Sequence, residues 1–203
     1  MAKVDLKREY PALYKASAYE PAVVDVPAMK FITVSGTGFA QPSAEFQDAV
    51  AALYSVAYTL KFSLKKADPE KDFVVMPLEA LWWTESGEPL EEEDRAKWCW
   101  TAMIAVPGFV TKTMVRKAAT EAAERKNLPA LSKVNLESFK EGLSAQIKHK
   151  GPYSEEGPTV RRLHEFIARQ GLKPHGKHHE IYLNDPGRIA PDRIRTIIRQ
   201  PVR

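Results

Sequence analysis

A strand–helix–strand–strand order, which the hydrophobic pattern predicts twice, is the feature that most constrains the fold of this chain. In the first half, a β-rich segment at Met29–Gly38 precedes a helical segment with apolar residues three or four apart, and two further β-rich segments follow. The second half repeats this order, although few residues are identical. Two pseudo-repeated β-α-β-β units predict an α+β fold with helices on one face of an antiparallel sheet. The other face must be covered, exposed to water, or used as a binding groove.

The 203 residues are expected to form one domain. Residues 1–20 contain the helix breaker Pro11 and are expected to be an extended N-terminal segment. The predicted parts that follow are a first repeat at about 27–107, a linking helix at about 111–127 and a second repeat at about 137–203.

The composition favours a cytoplasmic globular protein. No apolar run approaches the ~20 residues of a membrane-spanning helix, and the charged N-terminus lacks the apolar core of a signal peptide. The single cysteine, Cys99, excludes an internal disulfide and is interpreted as a buried apolar residue. The net charge of +4 is a mild, dispersed excess, and no nucleic-acid-binding signature accompanies it. We expect no membrane partner and no DNA-binding domain, and the oligomeric state stays open.

Strand alternation places two carboxylates beside aromatic residues. In residues 73–83 one alternate set is wholly apolar and is expected to face the core, so Glu79 and Trp83 share the opposite face. Near the C-terminus, Glu180 and Tyr182 point together, away from Ile181. A carboxylate that is buried without a partner is costly, so such acids are expected to be paired, to lie on the water-exposed face of the strand, or to serve a function.

Aromatic side chains on other elements complete a possible ligand cleft. Trp98 and Trp100 share one face of a strand, and Tyr54 and Tyr58 lie four residues apart on one side of a helix. Convergent aromatic and acidic residues are typical of small-molecule sites. The alternatives stay open: the tryptophans fill the core, Glu79 faces water, and the two tyrosines lie at the edge of the core.

Five segments carry a resemblance to the GyrI-like small-molecule-binding family, in its stand-alone branch. They are VDVPAMKFITVSGTG, LYSVAYTLKF, MPLEALWW, KGPYSEEGPTVRRLHEFI and, most specifically, KHHEIYLNDPGRIAPDRIRTIIRQPV, and together they cover nearly the whole chain. The resemblance implies a pair of β-α-β-β units that form a curved antiparallel sheet around a ligand cleft. It also implies a small-molecule ligand.

The resemblance implies three functions, because some family members sense drugs in transcription regulators and others inhibit DNA gyrase. Stand-alone members with this Tyr- and Trp-rich pattern resemble enzymes that hydrolyse the cyclopropyl ring of cyclopropanoid DNA-alkylating toxins. The family's ligand-contacting glutamate corresponds to Glu180, and Tyr153 matches an aromatic residue at the equivalent turn. The lack of an N-terminal DNA-binding domain disfavours the regulator.

The first hypothesis is a hydrolase that needs no metal or organic cofactor. Glu180 would activate water, and a tyrosine would hydrogen-bond the developing oxyanion, so the catalytic candidates are Glu180, Tyr182 and Tyr58. The ligand-binding candidates are Tyr54, Glu79, Trp83, Trp98, Trp100, Tyr153 and Phe39. The alternatives are a non-catalytic protein that sequesters cationic, planar compounds and a gyrase-inhibitor-like interaction protein. A metal site is not expected, because the adjacent His178 and His179 point to opposite faces of a strand.

Overall fold

The computed structural model describes residues 3–38, 43–87, 90 and 96–203. The chain forms two compact units, each built from an N-terminal segment and a longer later segment. Unit 1 consists of Met1–Glu9 and Met29–Phe139, and unit 2 of Tyr10–Ala28 and Lys140–Arg203. The expectation of a single domain stays a prediction.

Helices alternate with antiparallel strands along the chain, which gives a mixed α/β fold. The strands are β1 (Ala22–Thr37), β2 (Leu78–Thr84), β3 (Trp98–Val106), β4 (Asn135–Lys150), β5 (His178–Tyr182) and β6 (Arg195–Pro201). The helices are α1 (Leu6–Glu9), α2 (Pro11–Tyr14), α3 (Ala44–Ala67), α4 (Lys112–Ala123) and α5 (Gly157–Arg169). Short 3₁₀ helices lie at Pro69–Lys71, Pro129–Lys133, Tyr153–Glu155 and Pro191–Arg193.

In unit 1, strands β1, β3 and β2 lie side by side in that order, and both pairs are antiparallel. Ile104 of β3 lies opposite Ile32 of β1 and Leu78 of β2. Ser43 caps α3 by accepting a hydrogen bond from the backbone amide of Phe46. The apolar stripe of α3 is buried at Phe46, Leu53, Val56, Ala57, Leu60 and Leu64, and this burial is the main term that holds the helix in place.

The strand expected at residues 73–83 is shorter than predicted. It begins only at Leu78, immediately after Pro77, and Phe73 makes a single isolated bridge to Val4. Proline lacks the backbone N–H that a strand interior needs, which explains the late start. The alternation argument therefore holds from Leu78 onward and not before it.

In unit 2, strands β4, β6 and β5 lie side by side in that order, again antiparallel. Ile147 of β4 lies opposite Ile198 of β6, and both belong to a buried cluster with Leu163 and Ile167 of α5. Helix α5 therefore covers this face of the unit 2 sheet. The similar element order in the two halves agrees with the expected pattern, but their relation as pseudo-repeats stays a prediction.

Helix α2, in the N-terminal segment of unit 2, covers the opposite face of the unit 2 sheet. The side chains of Gln146 and Arg199, which form a cross-strand pair, donate hydrogen bonds to the backbone carbonyls of Ala12 (2.7 Å) and Leu13 (2.8 Å). Leu13 and Tyr14 are buried. The expectation of an extended segment over residues 1–20 is not met at α1 and α2, which are helical. In α2, buried apolar side chains and backbone acceptors fix the chain to the unit 2 sheet.

A buried charged network lies on the same face as the N-terminal segment. The carboxylate of Glu141 lies 3.0 Å from Nδ1 of His179 and 3.1 Å from Nη1 of Arg199, and all three side chains are nearly inaccessible. Burial alone would raise the pKa of Glu141, but His179 and Arg199 lower it from 4.5 to about 2.

Candidate functional site

Strand β5 places Glu180 and Tyr182 on one face and buries the residues between them. His179 is 1% exposed and Ile181 is fully buried, whereas Glu180 and Tyr182 are half-buried. The Tyr182 hydroxyl donates a hydrogen bond of 2.6 Å to Oε2 of Glu180. This short, charge-assisted bond orients the carboxylate. The predicted alternation of this strand is confirmed by its burial pattern. Glu180 and Tyr182 point the same way because side chains two residues apart in a strand share a face.

The Glu180–Tyr182 pair lies on the face of the unit 2 sheet that α5 covers. The sequence pattern did not predict this position. Glu180 lies opposite Ile198 in the β5–β6 register, and residues directly opposite each other share a face. Ile198 packs against Leu163 and Ile167 of α5. Glu180 therefore lies on the α5 side of the sheet, and not on the face that the sequence pattern left for a groove.

Two neighbours enclose the Glu180–Tyr182 pair. The ring of Tyr153 meets that of Tyr182 edge to face, with 5.6 Å between centroids and 84° between planes. Nε2 of His178 lies 3.4 Å from Oε1 of Glu180. The structure thus brings together Glu180, Tyr182 and Tyr153, which are three of the predicted site residues.

The two phenols of this site are held in their neutral form. Burial, followed by the charges of Glu156 and Glu180, raises the pKa of Tyr153. Burial and then the charge and hydrogen bond of Glu180 raise the pKa of Tyr182 well above its ordinary value. Both hydroxyls are therefore hydrogen-bond donors over the physiological pH range.

Glu156 is a further acidic residue of this site, and the sequence analysis missed it. It immediately precedes α5 and is buried, and its Oε1 has no hydrogen-bond partner among the residues described. Burial, and then the negative charge of Glu180, raise the pKa of Glu156 from 4.5 to about 9. An acidic residue just before a helix is normally interpreted as an exposed residue that interacts favourably with the helix dipole, so the sequence contained no signal for its burial.

The tyrosines of α3 form a separate stack in unit 1. Tyr54, Tyr58 and Phe62 stack in succession, with 6.4 and 6.3 Å between ring centroids. The Tyr54 hydroxyl accepts a hydrogen bond of 3.2 Å from the backbone amide of Leu78. Tyr58 is 48% exposed. The catalytic role of Tyr58 and the ligand-binding role of Tyr54 stay predictions.

Three tryptophans of unit 1, Trp82, Trp98 and Trp100, form an aromatic cluster with Phe46. The Phe46 ring stacks on Trp82 at 5.5 Å and meets the edge of Trp100 at 5.0 Å, and Trp98 meets Trp82 edge to face at 6.0 Å. Trp100 is fully buried, and a Cβ atom on Gly36 would come within 2.3 Å of its ring. These contacts agree with the core-filling alternative for Trp100, and its ligand-binding role stays a prediction.

Two further predicted site residues, Glu79 and Trp83, lie on β2. Glu79 is 1% exposed, so the alternative that it faces water is wrong. Trp83, on the same face of β2, is half-buried. Phe39 lies outside the described residues. Within the described ranges, no group of three or more His, Cys, Asp or Glu side chains could hold a metal ion, and no helix there is long and apolar enough to cross a membrane.

Solved structures from Listeria innocua resemble the whole chain. A conserved protein of uncharacterised function is 39% identical, with a TM-score of 0.91, and the match covers 99% of this chain and all of that one. Two proteins described as hydrolases are each 37% identical to this chain. The first has a TM-score of 0.86 and matches 99% of this chain, and the second has a TM-score of 0.88 and matches 100% of it. Both matches cover the whole of the hydrolase chain. These proteins share the fold and a substantial part of the sequence.

A more distant structure shares the fold alone. The C-terminal domain of EcmrR is 14% identical, with a TM-score of 0.55 over 91% of this chain and 98% of that domain. No curated protein sequence shows significant similarity to the chain. The sequence profile of the GyrI-like small molecule binding domain matches residues 19–203. The chain belongs to the GyrI-like family of small-molecule-binding domains.

Proposed function

We propose that this protein binds a planar, largely apolar small molecule against Glu180 and hydrolyses a strained bond in it without a cofactor. The observation that carries the proposal is the 2.6 Å hydrogen bond by which Tyr182 orients the half-buried Glu180 beside Tyr153. The substrate class that we propose is the cyclopropanoid electrophiles, and their hydrolysis would protect the cell from DNA alkylation.

The proposed reaction adds one water molecule across a carbon–carbon bond. Glu180 takes a proton from water, and the water oxygen attacks the methylene carbon of the cyclopropane. The ring bond breaks, and its electron pair moves through the conjugated system to the carbonyl oxygen. That oxygen then takes up a proton, which gives a phenol that carries a hydroxyalkyl group.

The tyrosines support this reaction in different ways. Because the Tyr182 hydroxyl donates to Glu180, it is suited to hold the base in position. Tyr153 packs beside it as a neutral phenol and is suited to donate a hydrogen bond to the developing oxyanion. The catalytic role of Tyr58 remains a separate prediction.

Two relatives described as hydrolases support an enzymatic function. At 37% identity over nearly the whole chain, they share the fold on which Glu180 and Tyr182 are placed here. Their descriptions name no substrate, so the cyclopropanoid class rests on the resemblance of this chain to the stand-alone branch of the family.

The test measures hydrolysis of a spirocyclopropyl dienone by purified protein, with product detected by mass spectrometry as a gain of one water. We expect Glu180→Gln to reduce the rate by about 100-fold or more, because general-base catalysis typically contributes about 10²–10⁴-fold. Glu165→Gln, an exposed change on α5, is the control. Equal rates for Glu180→Gln and the unmodified protein would refute the assignment of Glu180 as base.

Binding without turnover is the second candidate function. A carboxylate beside two phenol rings also suits a cationic, planar ligand, through charge pairing and cation–π contact. The family description, a small-molecule-binding domain, fits this function as well. Retention of an unchanged cationic dye, without product from any strained electrophile, would favour it. The gyrase-inhibitor-like role stays an untested alternative.

A further inference from the structure

We propose that Glu156 is the proton donor of a two-carboxyl site in which Glu180 is the base. This inference rests on the hydrolase function proposed above and deepens it. It assigns proton donation to Glu156, the second carboxyl group of the site. It also implies a substrate that develops negative charge on oxygen during the reaction.

The position of Glu156 suits a donor because its carboxyl group is buried and incompletely bonded. Glu156 lies between the 3₁₀ helix Tyr153–Glu155 and α5, on the segment that carries Tyr153. It is 8% exposed, and its Oε1 lacks a hydrogen-bond partner among the described residues. Buried polar atoms are almost always bonded, so an unbonded carboxyl oxygen beside a candidate base points to a missing ligand.

A buried hydroxyl lies beside Glu156 on the same face of the sheet. Thr196 lies opposite Tyr182 in the β5–β6 register, is fully buried, and lowers the pKa of Glu156 by a side-chain hydrogen bond. A ligand oxygen that accepts a hydrogen bond from the protonated Glu156 would satisfy the carboxyl oxygen Oε1, which has no partner among the described residues. The chemical class is a carbonyl compound whose oxygen becomes anionic.

Burial and the nearby charge of Glu180 keep the proton on Glu156, because both raise its pKa, whereas the hydrogen bond from Thr196 lowers it. The neutral phenols of Tyr153 and Tyr182 also lie near Glu156. The N-terminal end of the α5 dipole opposes this rise in pKa, but the Glu156 side chain makes no capping hydrogen bond. With a pKa of about 9, Glu156 is a neutral acid near pH 7. Environments that separate the pKa values of two carboxyl groups are typical of acid–base pairs.

With these two residues, the site both removes one proton from water and supplies one proton to the substrate. Glu180 takes one proton from the attacking water, and Glu156 gives one proton to the oxygen that receives the electron pair. The product leaves neutral, with Glu156 ionised and Glu180 protonated. Transfer of one proton from Glu180 to Glu156, directly or through solvent, restores the starting state.

The test compares Glu156→Gln with the unmodified protein in a pH–rate profile for the spirocyclopropyl dienone. Glutamine keeps the size and a hydrogen-bond donor but has no acidic proton, so we expect kcat to fall by about 100-fold and KM to stay within about twofold. The alkaline limb of the kcat profile should disappear. Glu155→Gln, an exposed neighbour, should keep the normal profile.

A second readout needs no activity and no variant that might fail to fold. Infrared spectra of protein with ¹³C-labelled glutamate should show a protonated carboxylic acid band at pH 7 that is lost as the pH rises through about 9. Absence of this band, or a full alkaline limb in Glu156→Gln, would overturn the inference and leave the hydrolase intact. Failure of the unmodified protein to hydrolyse any strained electrophile would overturn both.

Discussion

At the scale of single residues, the environment of each carboxyl group decides its chemistry. Glu141 lies between two cationic partners and has a pKa of about 2, whereas Glu156 lies near another carboxylate and has a pKa of about 9. Both belong to unit 2. The same side chain is therefore a fixed anion at one position and a neutral acid at the other, because the nearest charges differ in sign.

Tyr182→Phe tests whether the phenol positions the base. We expect loss of the 2.6 Å hydrogen bond to lower kcat by about 10-fold, with little change in KM, because the apolar ring remains. A charge-assisted hydrogen bond is worth about 1.5–3 kcal/mol. Steady-state kinetics checks this result, with Tyr19→Phe, at an 86% exposed position, as control. Unchanged kcat in Tyr182→Phe would exclude the positioning role.

At the scale of elements, the unit 1 sheet depends on a close contact between two strands. Gly36 of β1 lies opposite Trp100 of β3, and the indole ring occupies the space where a Cβ atom would stand. The fully buried Trp100 also packs against Phe46 of α3, so it has little room to move. One glycine therefore allows the indole to fill the space between strand and helix.

Gly36→Ala should destabilise the protein. The added methyl group would lie 2.3 Å from the Trp100 ring, and overpacking of this kind typically costs about 1–3 kcal/mol. The measurement is the free energy of unfolding in urea. Gly108→Ala is the matched control, because a Cβ atom there meets nothing within 4 Å. Equal stability of the two variants would contradict the proposed packing constraint.

At the scale of the whole molecule, two glutamates act in opposite directions on the pH dependence of stability. The pKa of Glu141 is lower in the folded than in the unfolded state, so its contribution is lost as the pH falls from about 4.5 through about 2. The pKa of Glu156 is raised, so its contribution is present below about 4.5 and is lost as the pH rises through about 9. These two groups together place the stability maximum on the acidic side of neutrality.

Glu156→Gln should remove the alkaline loss of stability. The variant and the unmodified protein should be similar near pH 4, and the variant should be more stable by at most about 3 kcal/mol near pH 7, at 1.36 kcal/mol per pKa unit. Urea unfolding at a series of pH values checks this. A gap that stays constant from pH 4 to 9 would show that Glu156 is not buried as an acid.

The Glu180–Tyr182 pair could be predicted from the sequence, whereas features that depend on distant contacts could not. The pairing of Glu180 with Tyr182 could be predicted because the two-residue period of a strand is local. The late start of β2 could not be predicted from composition, since hydrophobic residues continue through Pro77 without forming a ladder. The burial of Leu13, whose backbone carbonyl accepts a hydrogen bond from Arg199 of β6, could not be predicted either, because no local pattern encodes it.

The sequence by itself determined the order of the main helices and strands after residue 20, the family, and which side chains of β5 point the same way, because these depend on local periodicity and motifs. Only the tertiary structure decided that α5 covers the Glu180 face, that residues 12 and 13 cover the other, and that Glu156 is buried beside Glu180. The reason is physical. Burial and pKa depend on groups that are distant along the chain and meet only after packing.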